Sequence, residues 1–155
     1  MASKHQLTGM TGVYLVAAEL ARRGFIASPT SRSAYGADLL VTDALCQRSY
    51  AVQVKTNARS FGFWLLSKNA RVVKSRSLIY ALVNLRKDRT EYFLVPSRFL
   101  ARNVKISRRT KTRKNDWYSI GFEKIAKYRD GWRIFKQPSR PTIRSTPTRR
   151  KRRAG

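Results

Sequence analysis

Carboxylates are scarce in this chain. Eight Asp and Glu stand against 34 Lys and Arg, a formal net charge of +26 and a sequence pI near 11.5. That imbalance points to a polyanionic partner, because a positive field of this size gathers phosphate-bearing polymers. Cysteine and histidine are scarcer still. A single Cys46 excludes an internal disulfide and a multi-cysteine zinc site. His5, the only histidine, lies in an N-terminus expected to be loose, which argues against triad chemistry. No apolar run reaches the roughly 20 residues of a membrane-spanning helix. The best helical segment, from Gly12 to Arg23, has few basic residues beyond its end, so an anionic membrane is the weaker candidate and no membrane partner is expected. Nucleic acid is the stronger: DNA, with RNA as the alternative. The opening Met-Ala-Ser-Lys-His-Gln lacks the apolar run of a secretory signal, so a cytoplasmic, reducing compartment is the expectation.

What is present suffices for a core: 155 residues, 42% hydrophobic and 11% aromatic, are ordinary for one domain. Thr8 or Thr11 is the expected cap of a helix through Val13 to Arg23, with Gly24 as its stop and Glu19 on its surface near Arg22 and Arg23. Phe25 to Ser28 reads as a strand, and 29–35 as a Ser/Thr-rich connection. Gly36 to Val41 and Tyr50 to Thr56 carry β-branched or alternating apolar residues and read as two strands joined by a turn over Thr42 to Ser49. Leu78 to Leu85 and Glu91 to Val95 are two more. A short helix over Arg98 to Asn103 and helical spacing from Phe122 to Tyr128 complete a mixed sheet with packed helices, an α/β sandwich. Between them, Phe61 to Leu66 is ambiguous and Asn69 to Ser77 is a helix or a loop. Phe61, Phe63 and Trp64 are expected to fill core rather than stack on bases.

The chemistry-bearing residues lie on the candidate hairpin. If it is symmetric about Cys46 and Gln47, Asp38 faces Lys55, Leu40 faces Gln53, and Asp38, Gln53 and Lys55 share one face of the sheet. Opposed side chains lie about 5 Å apart at Cβ, so a carboxylate, an amide oxygen and an ammonium would meet. The plain alternative is a solvated acid near a turn beside the exposed half of a half-buried strand.

Aspartate on one strand and Gln-x-Lys on the next, behind an N-terminal helix, resembles the PD-(D/E)XK nuclease superfamily, especially its small resolvase-like and restriction-like members. Gly12-Val13-Tyr14-Leu15-Val16-Ala17-Ala18-Glu19-Leu20-Ala21-Arg22-Arg23-Gly24 is similar to the family's opening helix, and Tyr128-Arg129-Asp130-Gly131-Trp132 to its closing segment. The resemblance spans roughly residues 8 to 135. It implies a restriction-endonuclease-like α/β/α sandwich with a central mixed sheet, and a metal-dependent endonuclease hydrolysing phosphodiester bonds. It further implies Asp38, Gln53 and Lys55 as catalytic residues, with Asp38, Gln53 and the Val54 carbonyl holding Mg²⁺ or Mn²⁺. Where the family carries a glutamate after the helix glycine this chain has Val13, which leaves a second expectation: a nuclease-fold module that only binds nucleic acid. Enzymes that cut two strands often act as dimers, so a homodimer stays open, although no segment offers a self-complementary seam.

Arg98, Arg102, Lys105, Arg108, Arg109, Lys111, Arg113 and Lys114 crowd one segment, expected as an exposed basic arm over about 98–116 of a domain spanning 1–136. Beyond it, 137–155 has the composition of a disordered tail, ending Arg149-Arg150-Lys151-Arg152-Arg153. Both are expected to contact phosphates without reading sequence.

Overall fold

Ser3 decides where the first helix begins. In the computed structural model, which describes residues 2–31, 36–58 and 62–136, the Gln6 N–H donates to Ser3 Oγ at 3.3 Å, and the Ser3 N–H donates to Gln6 Oε1 at 3.0 Å. This reciprocal capping box starts helix α1 (Lys4–Arg22) well before Thr8 or Thr11, so His5 sits in a helical turn rather than a loose end. Thr11 instead donates its hydroxyl to the Leu7 carbonyl one turn back. Gly24, with φ of 82°, ends the helix in the left-handed region as expected, and Glu19 pairs with Arg22 and Arg23.

The main sheet takes β1 (Phe25–Pro29), β2 (Leu39–Asp43), β3 (Ser49–Asn57), β5 (Leu78–Leu85) and β6 (Thr90–Pro96) in the order β1-β2-β3-β5-β6. Only the β3–β5 pairing is parallel. Leu39, Val41, Val52, Val54, Ile79, Ala81 and Val83 point to one face, where Val13, Val16 and Leu20 of α1 cover them. Leu78, Tyr80 and Leu82 point to the other, so β5 is buried on both sides, and that explains its unbroken apolar run.

The second face is covered by a mixed layer. Strand β4 (Phe63–Leu66), β7 (Lys105–Ser107) and β8 (Trp117–Gly121) form a small antiparallel sheet in the order β4-β8-β7. Short helices α2 (Asn69–Val72), α3 (Ser97–Asn103) and α4 (Phe122–Ile125) complete the layer. Trp64 fills core as expected and donates its indole N–H to the Val83 carbonyl at 3.1 Å. Phe63 does not: one residue along β4 it faces outward and is 38% exposed, because strand alternation allows only one of the two to face the sheet. Phe61 lies outside the described residues, as do most of the 29–35 connection and the tail from 137.

The closing segment docks between α1 and β6. The Asp130 N–H donates to the Tyr92 carbonyl at 2.9 Å, Trp132 packs on the Tyr92 ring, and the Arg23 guanidinium lies 4.3 Å from the Trp132 ring centroid.

Gly12 fixes how closely α1 lies on β3. A Cβ there would stand 1.9 Å from Thr56 Oγ1, an atom that is buried and unpartnered among the described residues. Gly12→Ala should therefore cost about 1–3 kcal/mol of stability, read by denaturant melts. Adding Thr56→Ala should restore part of it, since the clashing hydroxyl is then gone while the Cβ of residue 56, 3.0 Å away, remains.

Candidate active site

Asp43 sets the register of the β2–β3 hairpin. Its carboxylate accepts the N–H groups of Leu45 at 2.9 Å, Gln47 at 3.2 Å and Arg48 at 2.6 Å, while Cys46 turns the chain with φ of 53°. Burial alone would raise the Asp43 pKa, but the three N–H donors hold it below the usual carboxylate range. The hairpin is thereby centred between Leu45 and Cys46, one residue earlier than expected. Leu39 consequently pairs with Val52 and Leu40 with Ala51. Continued by one residue, this register sets Asp38 against Gln53 rather than Lys55. A shift of two in pairing preserves side-chain parity, so Asp38, Gln53 and Lys55 still belong to one face, the one turned away from α1.

Asp38 stands immediately before β2, where the strands part. Its N–H donates to the Val52 carbonyl at 2.8 Å. Its Oδ2 accepts the Val54 N–H at 2.7 Å and the Gln53 side-chain amide at 2.5 Å. The carboxylate thus takes the place of a ladder partner for Val54, and all three residues are held at one strand end. Lys55 follows Gln53 on the same face by about 7 Å of strand. No carboxylate of the described residues forms an ion pair with it.

The fit to a divalent metal is good in ligand type and poor in charge. Asp38 Oδ1, the Gln53 side-chain oxygen and the Val54 carbonyl are hard oxygen donors, the kind that Mg²⁺ and Mn²⁺ prefer. Asp38 is the only acid among them, and no group of three His, Cys, Asp or Glu gathers anywhere among the described residues. Val13, at the position where a helix glutamate was expected, is 7% exposed and packs in the apolar layer under α1.

Two concavities flank this strand end and the basic hairpin. One, of about 550 Å³, lies between the first turns of α1 (Lys4, His5, Thr8), Lys55 at the end of β3, and the exposed rings of Phe63 and Trp117. Sequence reasoning missed its α1 wall, although the Ser3-x-x-Gln6 box was the signal that Lys4 and His5 are helical. The other, of about 590 Å³, is lined by Lys68, Arg108, Arg109 and Lys114 together with Asp116 and Tyr118.

The basic segment is folded as α3 and the β7–β8 hairpin. Arg98, Arg102, Lys105, Arg108, Arg109, Lys111 and Lys114 are exposed. Asp116 organises the turn, accepting the Arg109 N–H at 2.8 Å and the Arg108 guanidinium at 2.9 Å, and these donors hold its pKa below the usual range. Arg113 is half-buried and donates to the Ser107, Arg108 and Asn115 carbonyls. Arg149 to Arg153 lie outside the described residues. No helix among the described residues is long and apolar enough to cross a membrane.

No family model and no curated protein sequence matches the chain. Solved structures do. The Holliday junction resolvase Hjc of the archaeal hyperthermophile Archaeoglobus fulgidus superposes with a TM-score of 0.51 at 16% identity, over 76% of this chain and 87% of that one. The bacterial homing endonuclease I-Ssp6803I superposes with a TM-score of 0.53 at 12% identity, over 86% of this chain and 91% of that one. Together with the mixed five-stranded sheet and its flanking helices, these likenesses identify the architecture: the chain has the α/β fold shared by that resolvase and that homing endonuclease.

Proposed function

We propose that the protein is a DNA-binding, metal-dependent endonuclease that hydrolyses phosphodiester bonds at the Asp38 strand end. The observation that carries this reading is the Asp38 carboxylate, held by the Val54 N–H and the Gln53 amide where the strands part, with Lys55 next on the same face. Asp38, Gln53 through its side-chain oxygen and Val54 through its carbonyl would hold Mg²⁺ or Mn²⁺. When bound, such an ion neutralises charge developing on the attacked phosphate. The part of Lys55 is to present a cation to the phosphate oxygens, and the Val54 N–H keeps Asp38 oriented. A single acid implies an ion that retains most of its waters and binds weakly without substrate. A homodimer would present two such sites, one for each strand of a duplex. The test is cleavage of branched, duplex and single-stranded DNA with Mg²⁺ or Mn²⁺ and with chelator; cutting that persists in chelator overturns the metal assignment.

A second reading is favoured by Val13. Because that position is packed in the α1 layer and Glu19 of the same helix is taken up by Arg22 and Arg23, α1 offers the site no second acid, and a module that binds nucleic acid without cutting it is the consequence. Wild type that binds DNA but cleaves nothing in either metal selects this reading.

Both readings assign phosphate contacts to the exposed cations of α3 and the β7–β8 hairpin, with the basic tail at 149–153 as a further clamp. Replacing Arg109 and Lys114 together by alanine should reduce the slope of log K against log salt by about 2, since each cation neutralises one phosphate, with similar weakening on unrelated DNA sequences. An unchanged slope removes the hairpin from the interface. Arg113, half-buried and with its Nε and Nη2 donors turned to main-chain carbonyls, should contribute less to the slope than either.

A further inference from the structure

The 550 Å³ groove beside Lys55 is not needed to hold a metal, yet it is built of parts that suit one ligand. Its walls include Phe63, 38% exposed, and Trp117, 47% exposed, while Leu65 beside them is 50% exposed. Aromatic rings of this size are usually withdrawn from water, as Trp64 between them in β4 is at 2% exposure. Trp117 is also held in place: the Arg113 guanidinium lies 4.7 Å from its ring centroid and is itself fixed by the Ser107 and Asn115 carbonyls. The rim is cationic through Lys4 and Lys55, with His5 beside them, and no carboxylate lines the groove among the described residues. An apolar-sided cleft with a fixed indole and a positive rim is complementary to a planar aromatic group carrying phosphate. The volume is of the order of known small-ligand pockets and exceeds what one base requires.

We propose that this groove receives an unpaired nucleobase, stacked against Trp117 and Phe63, while the phosphate attached to it lies at Lys55. The inference rests on the nuclease reading only in sharing Lys55; the stacking itself needs no cleavage. It gives the site a substrate class. A base held in a continuous duplex cannot enter the groove, whereas one at a single-stranded stretch, a flap or a branch point can, and every base has a face to stack. Nucleic acid whose bases are free near the scissile phosphate is therefore the preferred substrate over uninterrupted duplex.

The experiment compares the full chain's affinity for an oligothymidylate with its affinity for the same oligomer made entirely of abasic residues, in chelator and at fixed salt, by fluorescence anisotropy. The two probes share phosphate charge, so their ratio isolates the bases. Wild type should prefer the oligothymidylate by about tenfold. Trp117→Ala with Phe63→Ala should bring the ratio close to one and leave abasic binding unaltered, which also reports an intact fold. Trp117→Phe should keep most of the preference. A wild-type ratio near one, or a preference that survives the double substitution, overturns the proposal. Because no metal is present, these outcomes are independent of whether the protein cuts DNA, which the cleavage assay decides separately.

Discussion

With Asp38 replaced by alanine, metal-dependent cleavage should fall by about 10³-fold or more, while affinity for the same DNA in chelator should change by less than about threefold. The loss is large because Asp38 is the only acid of the proposed ligand set, so nothing nearby can take over its charge. Binding is spared because the affinity comes from many exposed cations elsewhere. Alanine also removes the acceptor of the Val54 N–H, and a loosened strand end could imitate a chemical effect. Asp38→Asn separates the two. Its amide oxygen can still accept from Val54, so it should be more stable than the alanine variant by about 1 kcal/mol and equally inactive. Lys55→Met should likewise suppress cleavage, through loss of the cation at the phosphate rather than loss of the metal. Its signature is that raising Mn²⁺ fails to rescue it, whereas any residual activity of Asp38→Asn responds to metal concentration. Cleavage that survives both Asp38→Ala and Lys55→Met means that the chemistry lies elsewhere.

That Asp38, Gln53 and Lys55 share a face was legible in the sequence because side-chain parity in a strand survives an even register error. Asp38 was expected opposite Lys55, but Asp43 folds the turn one residue earlier and the continued register sets Asp38 against Gln53. An odd error would have dispersed the set. Expecting both Phe63 and Trp64 in the core went against that same rule, since adjacent strand residues cannot both face the sheet, and at α1 a capping box two residues past the N-terminus outranked the threonines. Layer assignment was less accessible. Nothing in the run from Arg98 to Lys114 announces that it joins β4 in a second sheet, because β7 and β8 are three and five residues long and their pairing is set by tertiary contact. The groove beside Lys55 was invisible for a related reason: its walls come from α1, β3, β4 and β8, and only the fold brings them together.

Glu91→Ala should lower stability by about 3 kcal/mol, the largest single-site effect expected away from the apolar core. Glu91 is 8% exposed on β6 and is a hub: it accepts from Asn84 at 3.1 Å, Arg89 at 3.2 Å and Arg129 at 2.9 Å, with Arg86 at 3.9 Å. The arginines reach solvent and can be rehydrated when the acid is removed, which limits that part of the cost. Asn84 cannot: it is 1% exposed, its Oδ1 already lacks a partner among the described residues, and its amide would lose its acceptor. Arg129 ties the closing segment to β6, so the fluorescence of Trp132 should change at lower denaturant than in wild type. Burial alone would raise the Glu91 pKa, but the Asn84 amide and the Arg129 and Arg89 charges outweigh it and hold the carboxyl below its usual range. A depressed acid adds stability that is fully present above the unfolded-state pKa, about 4.3, and is lost as pH falls through the lower folded value. Wild type should therefore melt at progressively lower temperature below about pH 5. Glu91→Gln keeps the shape and an acceptor for Asn84 but cannot titrate, so its melting temperature should fall less steeply with acid. Some slope must remain, because Asp43, Asp116 and Glu19 are depressed in the same direction. A Glu91→Gln profile parallel to wild type from about pH 6 to about pH 3 would show that Glu91 stabilises by packing and hydrogen bonding alone, with its charge contributing nothing.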